Sequence, residues 1–393
     1  MTTVIRAGLL FDGTGRDPIR DGAVVISQGR ISWAGPFDAC WVPGGAEVIV
    51  RPDETLMPGM VNSHSHVSIV PALGDQMGQM REHPLRQAFR AVANMRKELL
   101  SGVTTLRVMG EENLLDIEMG RAVSLDLIPG PRLIPSGVML TSSNGHGRAV
   151  TVTDGPDEVR RRVRQNLAAG ARWIKLFVTG GVSSKETVLD RASYSKEEIL
   201  MACEEAHRAG VSVAAHAHGG IGVKLCLECG VDSLEHAAFV TPEDVEQAKR
   251  RGTWLVGTFS ILFHPEGVEK VDASLPEIGE KIRRAREAVA ETWSMVVKSG
   301  AKYALGTDSM HGMMWYEAER LVELGASNLE ALMAVTSKGA ACCGVADCVG
   351  TLEPGKLADV ITVRGNPLED ISALSRVGLI VKGGRRYDGL SAM

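Results

Sequence analysis

No apolar run in the 393-residue chain approaches the roughly 20 residues that a membrane-spanning helix needs, so no such span is expected. The first stretch, Met1-Thr2-Thr3-Val4-Ile5-Arg6, offers no basic segment followed by an apolar core, and no secretory signal is expected either. An excess of positive charge is missing too. The 43 Lys and Arg stand against 48 Asp and Glu, a formal −5, which leaves no electrostatic footprint for nucleic acid or an anionic membrane. A second C-x-x-C is absent beside Cys226 and Cys229, so a closed four-ligand zinc site is not expected and those thiols read as core. Seven cysteines is an odd number, and Cys203, Cys226, Cys342 and Cys343 fall in apolar stretches, as reduced buried thiols do. With 44% hydrophobic and 23% charged residues, disordered and collagen-like classes are out. The expectation is a soluble, cytoplasmic, globular protein.

Both ends of the chain have a β texture. Short alternating runs at 4–11, 23–26 and 30–34 are separated by Asp12-Gly13, Asp21-Gly22 and Gln28-Gly29, and runs at 358–363 and 377–382 close the sequence. This predicts one small β domain built from 1–56 plus 350–393. Between them, apolar runs at 56–62, 103–109, 132–138, 173–178, 211–215, 233–234, 254–258 and 302–306 alternate with helical patterns at 86–100, 157–169, 196–209, 242–251, 277–298 and 329–341. Ser195 and Thr241 precede acidic first turns, and Gly210 and Gly300 follow helix ends. Eight β units alternating with helices over 57–349 predict an α/β fold, a (β/α)8 barrel. No G-x-G-x-x-G follows an early strand, which argues against the doubly wound alternative.

In such a barrel, functional side chains belong at the C-terminal ends of the strands. The first barrel strand runs into His64-Ser65-His66, and a spacing of two on extended chain puts both imidazoles on one face. Lys175 falls inside the apolar run Trp173-Ile174-Lys175-Leu176-Phe177, where a lysine needs a reason to be. It is either a snorkelling side chain or an amine whose pKa is lowered by desolvation. Such an amine can take up carbon dioxide and become a carbamate that bridges two cations. His216-Ala217-His218, Glu235-His236 and Thr307-Asp308 end three later strands. Each alone reads as a satisfied polar group. Together they converge on one end of the inferred barrel.

That order of H-x-H, lysine, histidine, histidine and aspartate resembles the amidohydrolase superfamily with a binuclear metal centre. Further motifs extend the resemblance over nearly the whole chain: Met57-Pro58-Gly59-Met60-Val61-Asn62-Ser63-His64-Ser65-His66, Gly102-Val103-Thr104-Thr105, Leu352-Glu353-Pro354-Gly355-Lys356-Leu357-Ala358-Asp359 and Gly365-Asn366-Pro367-Leu368. Gly130-Pro131-Arg132 and Gly145-His146-Gly147 are similar to the imidazolonepropionase-like and Xaa-Pro dipeptidase-like branch. The chain departs from the dipeptide-cleaving pattern in having His218 where tyrosine is common, and Arg107-Val108 where Arg-Asp is common.

The resemblance implies a β-sandwich form for the terminal domain and two divalent cations, zinc first among several candidates. His64, His66 and Asp308 would hold one cation, His216 and His236 the other, with carbamylated Lys175 between them. It implies attack of a metal-bridging hydroxide on a small-molecule amide of the dipeptide or N-acyl amino acid type. Asp308 would move the proton, and His146 would steady the carbonyl or serve only to order its loop. His218 shares the strand parity of His216, so either can ligate; His146, His218 and His311 are the substrate-side candidates. Loops 67–86 and 259–275 would shape the pocket. A homo-oligomer is expected, with neither nucleic acid nor membrane as partner. The alternatives are a mononuclear deaminase or cyclic-amide, lactone or carbamate hydrolase on the same scaffold, and a non-catalytic assembly protein.

Overall fold

A computed structural model describes residues 2–184, 187–268, 270 and 276–387. The chain divides into two compact units. The first comprises Met1–Asn62, Arg96–Thr105 and Gly312–Met393; the second comprises Ser63–Met95 and Leu106–His311.

The first unit holds a seven-stranded sheet made from both ends of the chain. Its spatial order is Arg385–Arg386, Val377–Lys382, Val360–Arg364, Glu47–Pro58, Thr2–Leu10, Ile19–Ser27 and Arg30–Pro36. The N- and C-terminal segments join where Val360 pairs with Pro58 and Thr362 with Leu56, antiparallel. Because successive side chains on a strand point to opposite faces, Ile5, Val24 and Ile26 enter one apolar cluster with Leu56, Val360 and Leu379. Val4, Ala23 and Val25 enter a second cluster with Trp33. The first face is covered, and the second is covered in part, since Val48 and Val50 on it are exposed.

Two differences from the sequence reading have local causes. The run at 56–62 is not one strand: Glu47–Pro58 ends and Met60–Ser65 begins around Gly59, where a Cβ would lie 2.2 Å from the Thr104 hydroxyl. The strand also starts far earlier than the apolar pattern shows, since Pro52, Asp53 and Glu54 interrupt it. They are accommodated by a bulge between Ala7 and Leu9, the usual place for proline in a sheet. At the other end, the helix predicted at 329–341 is two, Asn328–Ala334 and Ser337–Cys342, broken at Thr336.

The second unit is an α/β assembly. Six parallel strands lie in the order Tyr303–Leu305, Trp254–Gly257, Ser233–Phe239, Ser212–Gly219, Trp173–Phe177 and Leu140–Thr141. Helices Pro156–Ala169, Lys196–Arg208, Gly220–Cys229, Pro242–Arg251 and Pro276–Ser299 alternate with them. Ser195 and Thr241 form the reciprocal caps that the sequence suggested, with Glu198 and Asp244. The helix Gly220–Cys229 was hidden by its two glycines; a Cβ on Gly222 would lie 2.4 Å from Thr179. Cys203, Cys226, Cys229, Cys342 and Cys343 are buried. Among the described residues no helix is long and apolar enough to cross a membrane.

The seven-stranded sheet makes a direct test of the two-ended unit. A chain ending at Gly350 leaves Glu47–Pro58 as an open edge and strips the cluster of Val360, Leu379 and Val381; exposed edges of that kind pair with other chains. It is expected to aggregate on expression. A soluble, monomeric truncated chain with a cooperative melt would refute this.

Candidate metal centre

Parallel strands deliver their C-terminal ends to one side of a sheet, and polar side chains placed there converge. His64 lies near the end of the strand Met60–Ser65 and His66 follows it directly, Lys175 is central in Trp173–Phe177, His216 and His218 end Ser212–Gly219, and His236 lies in Ser233–Phe239. Asp308 comes three residues after Tyr303–Leu305 and is stitched to the first segment by backbone. Its N–H donates to the His64 carbonyl at 2.9 Å, and its own carbonyl accepts from the His66 N–H at 3.0 Å. Gly306 permits this approach, since a Cβ there would lie 2.5 Å from the His64 nitrogen.

His64 Nε2 and His66 Nε2 face Asp308 Oδ1 at 4.0 and 3.8 Å. The ligating atoms of these three residues lie within 4.8 Å of one another. Their other ring nitrogens are occupied: His64 Nδ1 donates to Glu235 Oε2 at 2.7 Å, and His66 Nδ1 donates to the Gly110 carbonyl at 2.9 Å. A second group adjoins them. The ring centroids of His216 and His236 are 4.5 Å apart, and those of His64 and His236 4.9 Å. His216 Nε2 donates to the Gly180 carbonyl at 3.1 Å, and His236 Nδ1 shares a 2.7 Å bond with Thr258 Oγ1. His218 stacks 5.1 Å from His236.

Every one of these imidazoles is held neutral. Burial comes first among the causes, and Lys175 or a neighbouring histidine adds to it. His66 is pushed down to about 3, His146 to about 3 and His218 to about 4. His64, His216 and His236 are lowered well below the usual histidine value. Burial lowers Lys175 to about 8, against the pull of Glu235 and Asp308. Burial also raises Asp308 to about 6, with Lys175 and His311 opposing.

Lys175 Nζ is fully buried and has no hydrogen-bond partner among the described residues; its near neighbour is the Phe177 ring, 4.9 Å away. A buried polar group without a partner costs about 1–3 kcal/mol. The donor set therefore fits divalent cations: neutral imidazoles with one nitrogen already engaged, a carboxylate, and an amine whose present surroundings do not satisfy it.

His146 lines the same cavity, its Nδ1 2.5 Å from Ser184 Oγ and its ring 4.6 Å from His216. His311 is turned elsewhere: its Nε2 donates to the Ile69 carbonyl at 3.0 Å, and it is not among the residues lining the cavity. The cavity, counted with its open mouth, spans about 700 Å³. Its wall beyond the histidines is mostly apolar, with Ile69 and Met77 from the first long loop and Phe259, Ile261, Leu262 and Val268 from the second, beside the polar Gln76, Ser183 and Thr258. Residues 269 and 271–275 of the second loop lie outside the described residues.

Sequence reasoning missed Glu235 and Arg107. Both are fully buried, and Arg107 Nη2 donates to Glu235 Oε1 at 2.9 Å. The signal was available, because a charged residue inside an apolar strand had already singled out Lys175 and applies equally to Arg107.

Residues 55–386 match the model of the amidohydrolase family. The chain belongs to the amidohydrolase family. It is 30% identical to ochratoxinase of Aspergillus niger over 98% of this chain and 87% of that protein. The crystal structure of that ochratoxinase superposes with a TM-score of 0.88 at 29% identity, covering 99% of this chain and 96% of that one. A crystal structure of a Xaa-Pro dipeptidase with bound methionine superposes with a TM-score of 0.90 at 31% identity, covering 99% and 100%. Imidazolonepropionase of Salinispora tropica is 23% identical over 87% of this chain and 85% of that protein. As a member of this family, the chain is a hydrolase acting on carbon–nitrogen bonds.

The buried histidines generate a pH prediction for the metal-free protein. In the unfolded chain they titrate near 6.5, whereas folded they stay neutral to about 4 or below. Below pH ~6.5 the unfolded state binds more protons, so stability is lost on acidification. Asp308, Glu111 and Asp116, raised by burial to about 6, 8 and 7, work in the opposite direction but are outnumbered. The melting temperature of chelator-treated protein should fall by about 5 °C or more from pH 7 to pH 5. A flat or rising trend over that interval contradicts the neutral histidine cluster.

Proposed function

We propose that the chain hydrolyses an amide bond in a small molecule of the dipeptide or N-acyl amino acid type at a binuclear centre. The fold in this reading is a (β/α)8 barrel with a small β-sandwich domain drawn from both termini. The observation that carries it is the unpartnered Lys175 Nζ, fully buried amid His64, His66, His216, His236 and Asp308. A neutral lysine amine adds to carbon dioxide and releases one proton, which converts an unsatisfied nitrogen into an anionic two-oxygen ligand.

In this reading His64, His66 and Asp308 would hold one cation and His216 and His236 the other, carbamylated Lys175 would serve as a shared ligand, and zinc is the first candidate. Bound there, the cations supply Lewis acidity that polarises a carbonyl and lowers the pKa of a water. The chain's own groups do the rest. Asp308 takes up the proton of the attacking water and returns it to the departing amine. His146, oriented through Ser184, lies where it can steady the scissile carbonyl oxygen as charge develops. His218 shares the cavity with His216 and can contact either a cation or the substrate. Phe177, Phe259, Ile261 and Leu262 make a wall suited to an apolar acyl group or side chain, and among the described residues no lysine or arginine lines the chamber. A panel of dipeptides, N-acyl amino acids, lactones, carbamates and aryl amides, run with metal-loaded protein, tests the assignment. Turnover of amides bearing an apolar group supports it, and turnover confined to lactones or to a deamination substrate overturns it.

Lys175→Ala should lose bound metal and more than ~100-fold in turnover, beyond the loss from removing an outer partner. Short carboxylic acids should restore part of it. Two retained metals with full turnover would remove Lys175 from the centre.

Asp308→Asn separates proton transfer from metal binding. It should retain much of the metal, because His64 and His66 remain, yet lose ~10²–10⁴-fold in turnover. Near-normal turnover in this variant would make another group the base, His146 or His218 being next to test.

A further inference from the structure

Glu235 immediately precedes His236, but its carboxylate turns to a different histidine. Oε2 accepts from His64 Nδ1 at 2.7 Å. Oε1 accepts from Arg107 Nη2 at 2.9 Å and from Ser233 Oγ at 2.6 Å. Arg107 also donates Nη1 to Ser233 Oγ at 3.1 Å and Nε to the Ser63 carbonyl at 2.5 Å, and its guanidinium lies 4.3 Å over the Trp173 ring. Ser233, Glu235, Arg107 and His64 all have 0% exposure.

We propose that Arg107, Ser233 and Glu235 form a preset positioning relay that fixes His64 as its Nδ1–H tautomer and aims Nε2 toward Asp308 before any cation is bound. A neutral imidazole carries its proton on either nitrogen, and the bond made by the other nitrogen decides which. A carboxylate engaged by a guanidinium and a hydroxyl can only accept, so the proton is placed on Nδ1. A buried carboxylate left alone would be costly, and Arg107 removes that cost; Arg107 in turn is satisfied by a backbone carbonyl, a hydroxyl and an aromatic face. The neighbouring ligands are held differently. His66 rests on a backbone carbonyl, and the Thr258 hydroxyl beside His236 can donate or accept and so selects no tautomer. Among these residues, His64 is the one with an anionic acceptor, which makes its Nε2 the more basic donor to a cation. The relay thereby ranks the two halves of the centre, the His64, His66 and Asp308 half filling first. The inference rests on the proposed metal role of His64, but its tautomer readout is independent of any substrate or turnover.

The test uses full-length, chelator-treated protein with ¹⁵N-labelled histidine, read by long-range ¹H–¹⁵N correlation, together with zinc titration against a competing chelator. In the unaltered chain His64 should show the Nδ1–H pattern without metal. Glu235→Leu should shift His64 toward a tautomer mixture and weaken the tighter zinc site ~10–100-fold. His66, held by Gly110, should keep its signal and so serves as the internal control against general loosening. Glu235→Gln leaves an acceptor oxygen but no charge, so it should keep the tautomer and weaken zinc less than Glu235→Leu does. If His64 stays Nδ1–H in Glu235→Leu with unchanged zinc affinity, or if His66 shifts alongside it, the relay is wrong. Should Glu235→Leu yield no folded protein, Glu235→Gln decides alone: unchanged zinc affinity there overturns the proposal.

Discussion

An imidazole has one lone pair to offer, and offers it only while neutral, so a cluster of them works only where protons are kept off and the second nitrogen is held. Burial does the first. It lowers the proton affinity of His64, His66, His216 and His236 far enough that acid must go well past the ordinary histidine range to charge them. Hydrogen bonding does the second, through the Gly110 and Gly180 carbonyls, the Thr258 hydroxyl and the Glu235 carboxylate. Each of those partners belongs to a strand or to the loop just beyond one. Parallel pairing of 173–177, 212–219, 233–239 and 254–257 is what brings histidine and partner to the same level. The sheet is thus a requirement of the chemistry, since loops alone would leave both the rings and their acceptors free to reorient.

Holding that geometry places strain in the backbone. His236, Ala237 and Asp308 adopt left-handed φ values of 73°, 49° and 56°, a conformation that costs non-glycine residues of order 1–3 kcal/mol each. Packing over-determines them. Trp293, fully buried on the helix Pro276–Ser299, donates its indole N–H to the His236 carbonyl at 3.2 Å. Asp308 is clamped by paired backbone bonds to His64 and His66. Strain held by backbone and scaffold hydrogen bonds keeps these side chains in place without help from a bound ion.

What was legible in the sequence follows from the periods of regular structure. H-x-H after an apolar strand places two rings on one face without knowledge of the fold, and a lysine inside Trp173–Phe177 stands out against its neighbours. The candidate ligands His64, His66, Lys175, His216, His236 and Asp308 are all assembled in one region of the second unit. Contacts across the sheet were not legible. Arg107 and Glu235 are 128 residues apart in sequence, and no local pattern says that one side chain reaches the other. Nor does His311 announce that it turns to the Ile69 carbonyl and not to the cavity. Interrupted elements were lost for a related reason: Pro52 in a strand and Gly220 and Gly222 in a helix break the propensity signal, and only the bulge at Ala7–Leu9 or the close approach of Thr179 explains why they are tolerated.

The cavity divides its labour along the same line. Its polar end is made by strand ends, where register fixes position, and its apolar wall by the loop segments carrying Ile69 and Met77 and those carrying Phe259 to Val268. Loops tolerate substitution and length change more readily than strands, so the wall can alter its substrate while the donor set stays unchanged. The apolar wall also acts on the polar end. By excluding water it lowers the local dielectric, which strengthens charge interactions at the base of the cavity and adds to the burial that lowers His66 and His146, both of which line it. A wider or wetter wall would therefore change more than substrate fit. It would let the lining imidazoles take up protons at higher pH, and they would lose the lone pairs a cation needs while every residue kept its place.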